Sequence, residues 1–318
     1  MRYVFQLVAA LVVNSVLVAP ALLAADEHAT LPNLDQRKER GDFRLARANR
    51  PERAAAESLL RSRVPELQTE WHEVVGSPKW LSTRDGFLTG KNGVGRGGAA
   101  QPAANVPATD PHRVIKSFVN EHAGLFGHDA SGLDRARVKR EFVTEHNGVR
   151  TAIWHQEHQG IEVFEGVFLA HTTKDGELIN VASQFAPGIA ARNPGVVDAT
   201  AAPAITVEQA VRRAAEHLGE ELQPNDGLTA VTSADGPERR QKFTAAFLKA
   251  EASVRLTWLP LDGETLRLCW RVILKTVHGQ ARYRVLVDAQ TGDVMVRHCL
   301  TTDLSNASYR VFPGASPT

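Results

Sequence analysis

The histidine and glutamate residues of this 318-residue sequence lack the spacing of a catalytic zinc site. A His-Glu-x-x-His motif needs two histidines one helical turn apart, with the glutamate beside the metal-bound water. His72 and Glu73 are the only His-Glu pair, and Gly76 stands where the second histidine should be. The inverted motif fails by one residue after His217. We therefore expect no catalytic zinc and no other cofactor in this chain.

Other catalytic arrangements are equally weak in the sequence. His155 and His158 lie three residues apart in a predicted strand, so they should point to opposite faces and cannot readily share one metal. No Gly-x-Ser-x-Gly nucleophile elbow is present. An unrecognised pair of catalytic carboxylates stays open as an alternative, but no pair is singled out. We expect a protein that is not an enzyme.

The two cysteines, Cys269 and Cys299, are expected to be separate thiols. The sequence predicts a three-stranded meander over Leu266–Val277, Ala281–Asp288 and Asp293–Leu300. Its turns place Cys269 opposite the Asp288 end of the middle strand and Cys299 opposite the Arg282 end. Six residues of strand cover about 20 Å, whereas a disulfide tolerates about 7 Å between Cα atoms. A disulfide is the alternative.

The first 25 residues predict export. Arg2 precedes an apolar run over Val4–Val18, and small residues follow up to Ala25, which is the order of a secretory signal peptide. An uncleaved N-terminal anchor is the alternative. The sequence as a whole is 43% hydrophobic and 23% charged with a net charge of +1, which is typical of a globular protein and does not favour nucleic-acid binding or stable membrane insertion.

The expected fold class is α+β, with two units that each combine a helix and an antiparallel sheet. Asp110-Pro111 and the capping-box sequence at Thr206 predict the starts of the two leading helices. A further helix should follow Arg50 and end before Pro65. The aromatic residues of the first sheet are interpreted as core, with a ligand surface as the alternative: Trp154, Phe164, Phe168 and Phe185.

Composition divides the chain into six segments. Residues 26–109 are expected to be helical or irregular with a Gly-rich flexible linker or loop over Gly86–Pro107, and residues 188–203 to be an Ala/Gly/Pro-rich linker. The complete division is a signal peptide at 1–25, an N-terminal region at 26–109, a first unit at 110–187, a linker at 188–203, a second unit at 204–300 and a tail at 301–318.

The segment Trp154–Gly166 resembles the core of the fungalysin/thermolysin propeptide domain, whose pattern is Q-x-x-x-G-I-x-V-F-x-G. Asp175–Val181 is similar to the strand pair that follows it in that family. The family usually has Pro between Ile and Val, and this chain has Glu162 there. This departure marks a local difference from the family.

The second unit resembles a PepSY domain. The helical segment Ile205–Glu221, the strand residues Trp270–Val272 and the hairpin Arg282–Val294 carry this resemblance. Outside the two units, segments similar to bacterial fungalysin-type proproteins are Asp42–Leu45, Gly86–Gly90 and the tail Tyr309–Pro313.

The resemblance implies the pro-region of a secreted zinc metalloprotease, which helps the protease to fold and keeps it inhibited. The implied partner is a fungalysin-type catalytic domain, to which the zinc would belong; we expect this chain to lack that catalytic half. A stand-alone exported binding or inhibitor module is the alternative. The candidate partner-binding residues are Gln156, His158, Gln159, Glu162, Glu165, Tyr309 and Arg310.

Overall fold

The computed structural model describes residues 30–39, 51–191 and 202–301. The predicted signal peptide, most of the 188–203 linker and the tail that contains Tyr309 and Arg310 lie outside these ranges. Within them the chain has the expected α+β fold, built on one 13-stranded sheet. In the ranges described, no helix is long and apolar enough to cross a membrane.

The strands, in chain order, are β1 (Leu34–Asp35), β2 (Leu67–Trp71), β3 (Pro78–Thr83), β4 (Arg137–Val143), β5 (Arg150–His158), β6 (Ile161–Thr172), β7 (Leu178–Ser183), β8 (Thr229–Ala230), β9 (Gln241–Thr244), β10 (Ala252–Pro260), β11 (Leu266–Leu274), β12 (Tyr283–Asp288) and β13 (Val294–Cys299). The helices are α1 (Gln36–Glu39), α2 (Pro51–Arg63), α3 (Arg113–Glu121), α4 (Ala123–Phe126), α5 (Ser131–Asp134), α6 (Pro187–Ala191) and α7 (Val207–His217).

Strand β6 joins the two halves of the sheet. Its later part pairs antiparallel with β5 on one side and β7 on the other. Its beginning pairs parallel with β10, at Val163 and Trp258. From β10 the meander continues through β11 and β12 to β13, while β7 is followed by β3 and β2. One strand therefore belongs to both halves.

Two main hydrophobic cores lie against this sheet. The first core packs α2, α3 and α4 against β5–β7 and includes the fully buried Phe126 and Phe168. The second core packs the apolar face of α7 against β10–β12 and includes Trp258 and Trp270. The predicted start of α7 is confirmed. The Thr206 side chain accepts a hydrogen bond from the Gln209 backbone amide, and the Gln209 side chain accepts one from the Thr206 backbone amide.

The Gly-rich segment Gly86–Pro107 is a loop that packs against the first core. Leu88 is fully buried in the first core, and its amide donates to the Leu178 carbonyl at 2.7 Å. Gly97 donates to the Leu88 carbonyl, and its own carbonyl lies 2.6 Å from His122 Nε2. Glycine and proline composition also suits tightly packed loops, so composition alone could not distinguish a packed segment from a free one.

The N-terminal region has more regular structure than expected. Strands β2 and β3 extend the sheet beyond β7, and the α2 residue Leu60 lies in the first core. Helix α3 begins at Arg113 rather than directly after Asp110, whose carboxylate accepts from the His112 amide at 2.7 Å. The segment boundaries at 110 and 204 stay predictions.

The expected register of the C-terminal meander is confirmed. Cys269 lies opposite Asp288 and Cys299 opposite Tyr283, at opposite ends of β12. Both cysteines are free thiols. Cys269 is fully buried, and burial in apolar surroundings raises the pKa of its thiol.

His128 makes the first core sensitive to acid. Its ring is 4% exposed and lies 5.8 Å from the Phe185 ring and 6.0 Å from Phe126. Burial lowers the pKa of His128 to about 4, although a bond to the Asp129 carbonyl opposes this shift. Burial likewise lowers the pKa of His72 to about 4. The unfolded state therefore binds more protons than the folded state between pH 6.5 and 4.

We expect the free energy of unfolding to fall as the pH falls from about 6.5 to about 4, with His128 contributing about 3 kcal/mol of this loss. His128→Gln should remove that contribution and leave the share of His72. Urea unfolding at pH 7 and pH 4 measures the difference. The matched control is His146→Gln at an exposed position, which should keep the wild-type loss; an equal loss in both variants would contradict the assignment.

Candidate functional site

The hairpin between β5 and β6 has backbone geometry that explains both glycines of the propeptide-like pattern. Gln159 and Gly160 have φ values of 53° and 75°, which is the two-residue turn favoured in β-hairpins. At Gly166, a Cβ atom would lie 3.0 Å from Gln156 Cβ and from Val163 Cβ. Glu165, the residue before it, has φ of 58°, so β6 bulges away from β5 at this point.

The bulge directs β6 side chains into different cores. Ile161 and Val163 lie in the second core, whereas Phe168 lies in the first. Phe164 lies in a third, small cluster with Leu286, on the face of the β10–β13 meander that points away from the second core. The apolar residues of the pattern therefore join the two halves of the protein.

Glu162 is the centre of a buried ion cluster at this junction. One carboxylate oxygen accepts from Arg255 at 3.0 Å and lies 3.9 Å from Arg271. The other oxygen lies 3.6 Å from Arg137 and 3.5 Å from His155 Nδ1. The Glu162 amide donates to a Glu238 carboxylate oxygen at 3.3 Å. A proline at this position would lack that donor, so the Glu238 contact matches the departure from the family pattern.

Opposite charges keep Glu162 ionised despite its burial. Burial opposes ionisation, but the His155 bond and the charge of Arg255 outweigh it and lower the pKa of Glu162 to about 2. Glu238 is kept ionised in the same way, because Arg240 and Arg255 both donate hydrogen bonds to its Oε2. Burial is again the largest effect on Glu238, and these two arginines reverse it and lower its pKa.

Beside this cluster, a groove of about 450 Å³ opens on the face of β9–β11 that lies opposite α7. Arg255 and Arg271 are directly paired across β10 and β11 and both line the groove. On the next strand, Arg284 lies opposite Ile273, which is also a groove residue. Three arginines thus occupy neighbouring positions on one sheet face. We call the groove lined by Arg255 and Arg271 the arginine groove, and Arg284 lies beside it on the same sheet face.

The structure separates the candidate partner-binding residues by exposure. Gln156 is buried, and its side chain bonds both the amide and the carbonyl of Ala186, so it is not on the surface. Glu162 is 7% exposed, and its carboxylate is engaged in the ion cluster. His158 packs edge-on against Trp258, Gln159 is exposed in the turn, and the half-exposed Glu165 pairs with Arg37 at 3.2 Å. Tyr309 and Arg310 lie outside the described residues.

Sequence reasoning did not identify the three arginines. A signal was present, because each of three consecutive predicted strands has at least one arginine between apolar residues, and these include Arg255, Arg271 and Arg284. Only the register shows that they share the face opposite α7. The aromatic interpretation holds: Trp154, Phe168 and Phe185 are at most 1% exposed and lie in the first core.

No group of three or more potential metal ligands occurs among the residues that the structure describes. His155 faces Glu162, whereas His158 packs on Trp258, so the two histidines act in different contacts. The charged residues of the junction form ion pairs with one another.

Comparison with known proteins adds one family match. Residues 134–185 match the Fungalysin/Thermolysin Propeptide Motif, which corresponds to the segment from the end of α5 through β7. Among solved structures, the Bacillus megaterium YpeB C-terminal domain is similar over 78% of this chain and 97% of its own, at 12% identity and a TM-score of 0.28. No curated protein matches the chain.

Proposed function

We propose that this chain is a non-catalytic pro-region that helps a secreted zinc metalloprotease of the fungalysin type to fold and keeps it inhibited, in cis or in trans. The match of residues 134–185 to the propeptide motif carries the proposal. Those residues form the β4–β7 meander, and the side chains of the pattern unite the two cores, as described above. The export signal expected from residues 1–25 agrees with a secreted partner.

The physical basis is binding to the native protease. A module that binds the folded state but not the unfolded state lowers the free energy of the folded state. If the same contact covers the substrate cleft, it also inhibits. An interface of about 1,600 Å² permits tight binding, although area alone does not determine affinity.

Strand β4 supplies a suitable contact surface. In the described part of the chain it pairs only with β5, so its other edge is free to pair with a strand of another protein. Its apolar side chains are unusually exposed: Val138 is 45%, Phe142 39% and Val143 51% exposed. We include this edge and the faces of the sheet in the proposed protease-binding surface.

The test combines the purified chain with a fungalysin-type zinc endopeptidase catalytic domain. We expect excess module to slow peptide hydrolysis at least tenfold and to increase the yield of active protease on refolding from urea. A protease that retains its full rate with excess module, and refolds equally well without it, would exclude the proposed function.

Two matched variants test the β4 edge. Val143→Glu places a charge on the proposed surface, whereas Val231→Glu changes a valine of similar exposure, 47%, elsewhere in the chain. Val143→Glu should weaken inhibition at least tenfold, and Val231→Glu should inhibit as wild type does. Equal inhibition by both variants would remove β4 from the binding surface.

A further inference from the structure

The arginine groove has cationic side chains that its own carboxylates do not fully satisfy. Arg255 is satisfied, because it donates to Glu238 at 2.9 Å and to Glu162 at 3.0 Å. Arg271 has no hydrogen bond among the described residues, and its nearest carboxylate oxygen, on Glu162, is 3.9 Å away. That carboxylate already serves Arg255, Arg137 and His155.

Arg284 increases the excess of positive charge. Its guanidinium carbon lies 5.8 Å above the Phe164 ring, and its Nε is buried without a hydrogen-bond partner in the described part of the chain. Of the other charged residues that line the groove, Arg240 pairs with Glu238 and Lys242 with Glu251, and Asp235 is the one carboxylate among the described residues of the lining.

Burial of Arg271 makes this excess charge costly. Its side chain is only 18% exposed. Burial and the positive charges of Arg255 and Arg284 lower its pKa to about 10. A half-buried guanidinium without an acceptor is unfavourable, and a planar carboxylate satisfies it with two parallel hydrogen bonds. An anion in the groove would therefore accept the hydrogen bonds that Arg271 lacks and would reduce the repulsion between the arginines.

The walls of the groove indicate how large the ligand is. A volume of about 450 Å³ exceeds the size of a single carboxylate and falls within the range of ligand-binding clefts. Ser253 and Thr232 provide hydroxyl groups beside the arginines, and Ile273 provides apolar surface. This combination suits a short peptide segment whose acidic side chain reaches Arg271.

We propose that the arginine groove binds an acidic peptide segment of a partner protein, with an Asp or Glu carboxylate of that segment accepting hydrogen bonds from Arg271. The site rests on the groove alone and does not require the proposed protease partner. Its ligand is defined by chemistry: an extended peptide with at least one carboxylate side chain.

The test is calorimetric titration of the purified full chain at low salt. The probe is a capped Ala-rich peptide with two central Glu residues, and the control peptide has Gln at both positions. We expect the Glu peptide to bind at least tenfold more tightly than the Gln peptide, with affinity falling as salt rises. Equal binding of the two peptides, or no binding of the Glu peptide, would overturn the proposal.

Variants locate the binding to this groove. Arg271→Gln should weaken binding of the Glu peptide at least tenfold, whereas Arg213→Gln, at a 63%-exposed site on α7, should not change it. Equal weakening by both variants would show a nonspecific charge effect and overturn the site. Ser253→Glu is a second variant that introduces a carboxylate into the groove, and it should also abolish binding. Inorganic phosphate that binds as tightly as the peptide would contradict the peptide assignment.

Discussion

Replacing Trp258 with alanine should lower the free energy of unfolding by about 3–5 kcal/mol. Trp258 is fully buried in the second core, and it lies opposite Val163 in the parallel pair of β6 and β10. Its Nε1 donates to the His158 carbonyl at 3.0 Å, and its ring contacts the His158 ring. The substitution removes a large apolar side chain and the hydrogen bond from its indole nitrogen to the His158 carbonyl.

The same substitution should change the shape of the unfolding curve. Because Trp258 connects β10 to the β5–β6 hairpin, its loss weakens the contact between the two cores. We expect the urea transition, followed by circular dichroism, to shift to lower urea and to become broader. Trp80→Ala is the control: Trp80 is only partly buried and its Nε1 bonds the nearby Ser82 hydroxyl. A loss for Trp80→Ala that equals the loss for Trp258→Ala would contradict this role of the junction.

Glu162→Gln should destabilise the protein by about 3–5 kcal/mol, because it removes the carboxylate nearest to the buried Arg271 and one of the two carboxylate partners of Arg255 and of Arg137. The neutral amide has nearly the shape of the carboxylate, so the change acts through charge. Arg255, Arg271 and Arg137 would lose their shared anion. Urea unfolding at pH 7 measures this loss, and Glu165→Gln is the control, since Glu165 is 34% exposed and has one ion pair.

The pH dependence provides an independent check on Glu162. Its pKa in the folded state is lowered to about 2 from an ordinary value of 4.5. Its contribution to stability is therefore present above pH 4.5 and is lost as the pH falls towards 2. Glu162→Gln should show a smaller loss of stability between pH 4.5 and 2 than the wild type. An identical loss in both proteins would contradict the ion-cluster assignment.

The two predictions concern opposite sides of one junction. Trp258 packs in the core on the α7 side, whereas Glu162 binds arginines on the opposite face of the sheet. Glu162 is also the residue by which the chain departs from the propeptide pattern. The departure therefore coincides with the ion cluster, whose Arg255 and Arg271 also line the arginine groove.

The sequence by itself determined the local features of this protein. Alternating apolar residues and turn residues set the register that separates Cys269 from Cys299. The capping box at Thr206 marked the start of α7, and the pattern from Gln156 to Gly166 indicated the propeptide-like hairpin. These features depend on neighbouring residues, whose side-chain periodicity and backbone preferences act over one turn or one strand.

Only the tertiary structure decided which of these elements meet. The pairing of Val163 with Trp258 joins residues 95 positions apart in the chain, and no local pattern encodes such a pair. Tertiary packing also buried the Gly-rich segment around Leu88 and surrounded Glu162 with cations from three strands. Burial and electrostatic effects depend on every group within a few ångströms, so the ion cluster and the arginine groove exist only once the sheet has assembled.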